Sequence, residues 1–347
     1  MFKRILVPLD GSTRAERALP IAARIARAAD GSVILVQVAT LPATYSTYLA
    51  SSAYTEAIET ELKNAEDYLN ALANSELLAG IETETKALFG AVAQTILSVA
   101  CSYSADLIVM SSQGKTGLKR WVLGSVAQKI ARHSPLPVFV LHEGGPLPAR
   151  PQPDAHHPLQ ALVTLDGSAL AKAALEPAAK LVAALSSPAK GALHLLRVVK
   201  PPVLDVKGME GDQEYIERLK ENALHKAKTY LNSVADNLRE GPLADLKLSI
   251  TWSVAIDDDV AHAIIHMAEN GEDAEGAGVF GRCDLIAMAT HGRGGFQHWV
   301  LGSVTERVLG ATKLPILVIR PEETEFQRAF SNGGMSEAQI QTKVSLF

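Results

Sequence analysis

The chain has 347 residues, enough for two ordinary domains that each bury a core, and its 33 Lys and Arg against 38 Asp and Glu give a formal net charge of −5. That balance excludes the basic excess on which non-specific nucleic-acid binding depends and leaves small molecules or other proteins as the expected partners. No apolar run reaches the roughly 20 residues that a membrane span requires, and the opening MFKRILVPLDGS reads as a short strand rather than a signal peptide, so a cytoplasmic location with no membrane attachment is expected.

In chain order, RILVPL reads as an apolar strand ending at Asp10-Gly11-Ser12. Ser12 or Thr13 can cap a helix in which Ala18, Ile21, Ala22, Ile25 and Ala26 recur at helical spacing. Ser32 to Ala39 is continuously apolar, as a strand buried on both faces must be. A loop holding Tyr45, Tyr48 and Tyr54 then leads to a helix from about 56 to 73. A strand from 81 to 87, a helix from 92 to 103, a strand from 107 to 110, a helix from 125 to 132 and a strand from 138 to 141 follow. This β-α alternation predicts an α/β unit over 1–142, an open parallel five-stranded sheet with helices on both faces.

Residues 143–158, EGGPLPARPQPDAHHP, contain five prolines and two glycines and read as a linker, with His156 and His157 solvated in it. The same order returns over 159–320. A strand from 161 to 165 ends at Asp166-Gly167-Ser168, and a helix runs to about 185. A strand from 192 to 199, a helix from 213 to 238 and a strand from 246 to 254 come next. Asp257, Asp258 and Asp259 then open a helix that carries His262 and His266 one turn apart. Three acids at that place suit a helix dipole better than a metal. Strands from 285 to 288 and 316 to 319 close the unit, and 321–347 form a polar tail. Between the helix and strand 285–288 lies an insertion with a literal GxGxxG, Gly276 to Gly281. It precedes a strand instead of opening a helix, so it reads as a surface loop and not a dinucleotide fingerprint. Cys101 and Cys283, in apolar stretches without CxxC spacing, read as buried, inert thiols.

The chemistry concentrates in GKTGLKRWVLGSV, Gly114 to Val126, which returns as GRGGFQHWVLGSV, Gly292 to Val304, at an offset of 178. Each copy follows an apolar strand and ends in Gly-Ser at the head of a helix, so Gly124-Ser125 and Gly302-Ser303 offer backbone N–H groups and a hydroxyl to an anion such as phosphate. Gly114 and Gly292 allow close backbone approach, and Lys115 and Arg293 supply charge. In a sheet of order 3-2-1-4-5, the turns at Asp10 and Asp166 and these loops line one crevice in each unit, beyond the carboxyl ends of the strands. No GxxxxGK[ST], no GxSxG and no general base accompanies the loops, so no catalytic residue is assigned.

These features together resemble a tandem universal stress protein, two UspA-type domains in one chain. The family's nucleotide-binding pattern is G-x-x-G, nine residues, then G-[S/T], and Gly114 and Gly292 match its second Gly. The resemblance implies the Rossmann-like fold of the adenine nucleotide alpha hydrolase kind, with the units arranged as a pseudo-dimer through their fifth strands, PVFVL and PILVI, and further homodimerisation open. It implies that ATP, or AMP or ADP, binds with or without Mg on its phosphates. Pro8, Leu9 and Asp10, and Thr164, Leu165 and Asp166, would border the nucleoside, and Val38 and Val198 the adenine. Met110, Ser111, Val126, Met288, Ala289, Val304 and Thr305 complete the implied sites. Ser111 and Ala289 stand where the family has its first Gly, placing a Cβ beside the ribose or phosphates, and Thr305 is Ala127 in the first unit. The implied function is an ATP-binding stress-response regulator with protein partners. The alternatives are a UspA-type interaction scaffold without nucleotide, and a slow ATP hydrolase.

Overall fold

The structure, a computed structural model, describes residues 1–41, 51–114, 123–148, 158–201, 213–271, 276–277, 281–291 and 301–321. The first apolar run forms β1 (Arg4–Leu9), after which Ser12 caps a short α1 (Thr13–Glu16) by accepting from the Ala15 N–H at 3.2 Å. The helical periodicity of this stretch reads as one helix, yet the chain breaks at Arg17 and Ala18 before α2 (Leu19–Ala29). Pro20 is the cause: it has no N–H to donate, and its ring would strike the carbonyl of Glu16 in a continuous helix.

The first half continues through β2 (Ser32–Ala39), α3 (Ser51–Ala73), β3 (Thr83–Phe89), α4 (Val92–Ser102), β4 (Leu107–Ser111), α5 (Ser125–His133) and β5 (Val138–Leu141). The second opens with β6 (Gln160–Thr164), a 3-10 turn over Leu170–Ala174, α6 (Leu175–Ser186), β7 (Ala192–Val199) and α7 (Gln213–Glu240). It continues with β8 (Ser249–Ile256), α8 (Val260–Asn270), the two-residue β9 (Gly276–Ala277), β10 (Leu285–Ala289), α9 (Ser303–Ala311) and β11 (Ile316–Ile319).

Five parallel strands in each half take the orders β3-β2-β1-β4-β5 and β8-β7-β6-β10-β11, the expected 3-2-1-4-5 arrangement. The two five-stranded sheets that the sequence predicts are not distinct: β5 and β11, the fifth strands through which the resemblance implies pairing, run antiparallel and make one 11-stranded sheet. Two apolar edges that would otherwise stay unpaired cover each other. The insertion, expected to be a surface loop, supplies the last strand: Gly276 and Ala277 add an antiparallel edge opposite Ser253 and Trp252. A glycine-rich segment has neither alternation nor β propensity to announce such a strand.

Strand side chains alternate between two buried layers. Ile5, Val7, Val109 and Phe139 lie with α2, α3, α6 and α7, whereas Leu6, Ile108, Val140 and Ile286 lie with α4, α5, α8 and α9. Both layers run through both halves. Phe139 and Leu317 face each other across the seam and are 178 residues apart, as are the two glycine stretches. Gln128 and Glu306, also 178 apart, meet at 3.4 Å on the α5/α9 side. The halves are thus related by an approximate two-fold axis through the sheet at this seam, and their strand carboxyl ends point to opposite rims. Of the cysteines, Cys283 is buried as expected, with its thiol pushed up by burial and by Asp284, but Cys101 is exposed. Helical rotation decides this, since α4 buries Ala93, Ile96, Val99 and Ala100 and turns Cys101 outward.

Candidate functional site

At the carboxyl end of β1, Asp10 Oδ1 accepts from the Ser12 N–H at 3.0 Å and from the Ser12 hydroxyl at 2.6 Å. Asp166 and Ser168 repeat the arrangement at 2.8 and 2.6 Å. The intervening Gly11 and Gly167 have φ of 78° and 90°, a backbone that side chains rarely adopt, so the Asp-Gly-Ser order answers a steric demand. The other carboxylate oxygen of Asp10 faces the glycine loop so closely that a Cβ on Gly114 would overlap it. The turn after β1 and the loop after β4 therefore meet, as strand neighbours at the reversal of order must.

The loop is closed at its base by a hydrogen bond from the Gly124 N–H to the Ser112 carbonyl at 2.7 Å, and in the second half from Gly302 to Thr290 at 2.8 Å. A Cβ would lie 3.0 Å from the Ser112 oxygen at Gly124 and 2.6 Å from the Thr290 oxygen at Gly302, so close approach requires glycine at Gly302 and crowds any side chain at Gly124. Each is also the N-cap of its helix, α5 or α9, and has no side chain to cap with. The first-turn N–H groups and the positive end of each helix are thus left without a side-chain cap beside the exposed Ser125 or Ser303.

The remaining expected residues divide by strand alternation. Met110 and Met288 are buried, and Val38 and Val198 half-buried, all on the α4/α8 side that also carries α5 and α9. Pro8 is buried in β1 beside Val36, and Thr164 is half-buried at the end of β6. Leu9 and Leu165 enter the opposite layer, beneath α2 and α6, so their side chains serve the core. Alternation also puts Ser111 and Ala289 on the side of Val109 and Ala287, away from Met110 and Met288. Val126 and Val304 are half-buried in the first turns of the helices. Thr305 is buried, and its hydroxyl donates to the Ala289 carbonyl at 3.0 Å, tying α9 to the end of β10; Ala127 fills that place in the first half. Lys115, Gly292 and Arg293 lie outside the described residues, as do His156 and His157.

Several residues at the first crevice carry no sequence signal. Tyr68 of α3 donates to Glu16 at 2.9 Å, and burial, Glu16 and Asp10 together push its hydroxyl up. Arg14 pairs with Glu143 at 2.8 Å, and both line, with Thr13, Arg17 and Gly144, a cleft of about 280 Å³ beside the Asp10 turn. These partners are separated by more than 50 residues, so only the fold assembles them. At the start of α8, Asp259 caps the helix by accepting from the His262 N–H at 3.2 Å, and the Arg307 guanidinium at 2.6 Å holds its carboxyl below the usual range. The acidic run is a cap there. Among the described residues no group of three or more His, Cys, Asp or Glu could hold a metal.

A doubly wound α/β sheet with a glycine-led helix N-terminus at each rim defines the class of protein. The universal stress protein family profile matches residues 1–142 and 281–320, more than half of the chain, and the chain belongs to that family. It is similar to a universal stress protein of Methanocaldococcus jannaschii, 34% identical over 151 residues that cover 41% of this chain and 82% of the other. A universal stress protein of Thermus aquaticus is 36% identical over 142 residues, 41% of this chain and 99% of the other. In fold it is similar to a universal stress protein from Archaeoglobus fulgidus, with a TM-score of 0.57 at 21% identity over 91% of this chain and 98% of that one. Among the described residues no helix is long and apolar enough to cross a membrane.

Proposed function

We propose that this chain is a tandem of two UspA-type units, 1–142 and 159–320, each binding an adenine nucleotide, and that occupancy changes its contacts with protein partners in a stress response. The observation that carries this reading is the approach of Asp10 to Gly114 at one end of a crevice whose other end is the helix led by Gly124 and Ser125. A carboxylate accepts from hydroxyls, and a helix N-terminus receives phosphate. A ligand with sugar hydroxyls at one end and phosphates at the other satisfies both, and ATP, ADP or AMP has that form. The second half repeats the Asp166-Ser168 turn and the Gly302-led helix. Mg, where it accompanies the ligand, would ride on the phosphates.

The position of Ser111 and Ala289 supports binding, because their side chains lie in the layer opposite Met110 and Met288, whose side is where Val38 and Val198 lie. The substitutions that test the assignment are Gly124→Ala and Gly302→Ala, which place a Cβ 3.0 and 2.6 Å from the loop-closing carbonyls. Calorimetry with ATP is expected to show the loss of one equivalent in each variant and of both in the double variant. Unchanged stoichiometry in all three would overturn the assignment.

A further inference from the structure

His142 directly follows β5 and is 8% exposed. Its ring crosses the seam, with Nδ1 2.9 Å from the Leu314 carbonyl oxygen and Nε2 2.8 Å from that of Leu309. Leu309 lies in the last turn of α9, where carbonyls have no intrahelical N–H to receive. The neutral ring has one N–H, and as the Nε2–H tautomer it donates to the Leu309 carbonyl, so a side chain from the first half caps the far end of the second half's helix. The near end of α9 is Gly302-Ser303, the phosphate end of the second crevice.

The first half in turn holds His142 in place. Arg17 donates to its carbonyl at 3.3 Å and to that of Gly145 at 2.9 Å, and the next N–H, that of Glu143, donates to Ser112 Oγ at 3.3 Å. Ser112 is the residue whose carbonyl closes the first glycine loop. Direct hydrogen bonds therefore run from the loop base of one crevice to the anion helix of the other. Beside the β5/β11 ladder, and among the described residues, Gln128 and Arg132 also reach Glu306 across the seam at 3.4 Å, in exposed and weak contacts. The repeat position 178 residues on is Arg320, directly after β11, so a donor side chain stands at this place in both halves.

We propose that His142 is a positioning residue for the second crevice: through its ring the first half fixes the placement of α9, and with it the affinity of the second crevice for a phosphate-bearing ligand. The affinity part rests on the nucleotide reading above, and the positioning part does not. Two measurements on the full chain separate them. In ligand-free hydrogen exchange, His142→Ala is expected to speed exchange of the α9 amides about tenfold, the worth of one buried hydrogen bond, and to leave those of α5 unchanged. In calorimetry with ATP, the same substitution should weaken the second crevice, isolated by Gly124→Ala, by about tenfold, and leave the first crevice, isolated by Gly302→Ala, unaltered. His142→Gln, whose amide can still donate to one carbonyl, should recover most of both losses. Equal acceleration in α5 and α9, no acceleration in α9, or failure of the glutamine variant to differ from alanine would overturn the proposal. If ATP binds neither crevice in the unaltered chain, the nucleotide reading falls and the exchange result still decides the role of His142.

Discussion

His194 lies fully buried in β7, with Nδ1 2.8 Å from the Thr251 hydroxyl and Nε2 2.7 Å from the Ser253 hydroxyl. A hydroxyl can donate or accept, so these two neighbours satisfy the neutral ring, and burial lowers its pKa from 6.5 to about 3. The unfolded chain takes up this proton near pH 6.5 and the folded chain only near 3. The stability involved is complete above 6.5 and is lost as pH falls between those values, at about 1.4 kcal/mol per pH unit. Burial lowers His142 as well, in the same sense. Urea midpoints of the unaltered chain are expected to drop as pH is taken from 7 to 4, and those of His194→Asn to drop less; equal slopes would contradict the account. Asp10, Gly114, Gly124 and Ser125 were legible in the sequence because their spacing is local and repeated. His142 and His194 were not, since their partners come from another strand or the other half. Leu9 and Leu165, implied by the resemblance, turn into the core for a reason the sequence does state, the two-residue period of a strand.

The helices that follow β4 and β10 do the same task with different fastenings. In α9 the Thr305 hydroxyl reaches back to the Ala289 carbonyl, whereas Ala127 packs in that place in α5. Thr305→Val keeps the shape, removes the donor and leaves a buried carbonyl, so it is expected to cost about 1–2 kcal/mol in urea unfolding. A loss below a few tenths would show that the hydrogen bond does not hold the helix. At this scale the sequence located every principal strand, with ends differing by up to three residues. It misjudged the helix after β1, where Pro20 interrupts a regular apolar period, and the insertion, where β9 forms from residues with no strand pattern.

The two halves share one sheet and two continuous layers, so they should not unfold separately. Phe139, fully buried opposite Leu317 at the seam, is packed where that sharing takes place. Phe139→Ala is expected to cost about 3–5 kcal/mol and to preserve a single calorimetric transition. Two resolved transitions in the unaltered chain would show independent halves. The element order implied an open parallel sheet in each half, and the apolar fifth strands implied that they needed a partner. The resemblance implied that they pair with each other, and the antiparallel register of β5 and β11 joins the halves into one sheet with the strand carboxyl ends at opposite rims. Two such crevices are the central claim, and the nucleotide content of the purified chain tests it most directly. Acid extraction followed by chromatography, with calorimetric titration of the emptied chain, should give an adenine nucleotide and two binding equivalents per chain. No released nucleotide together with no measurable binding of ATP, ADP or AMP would contradict it.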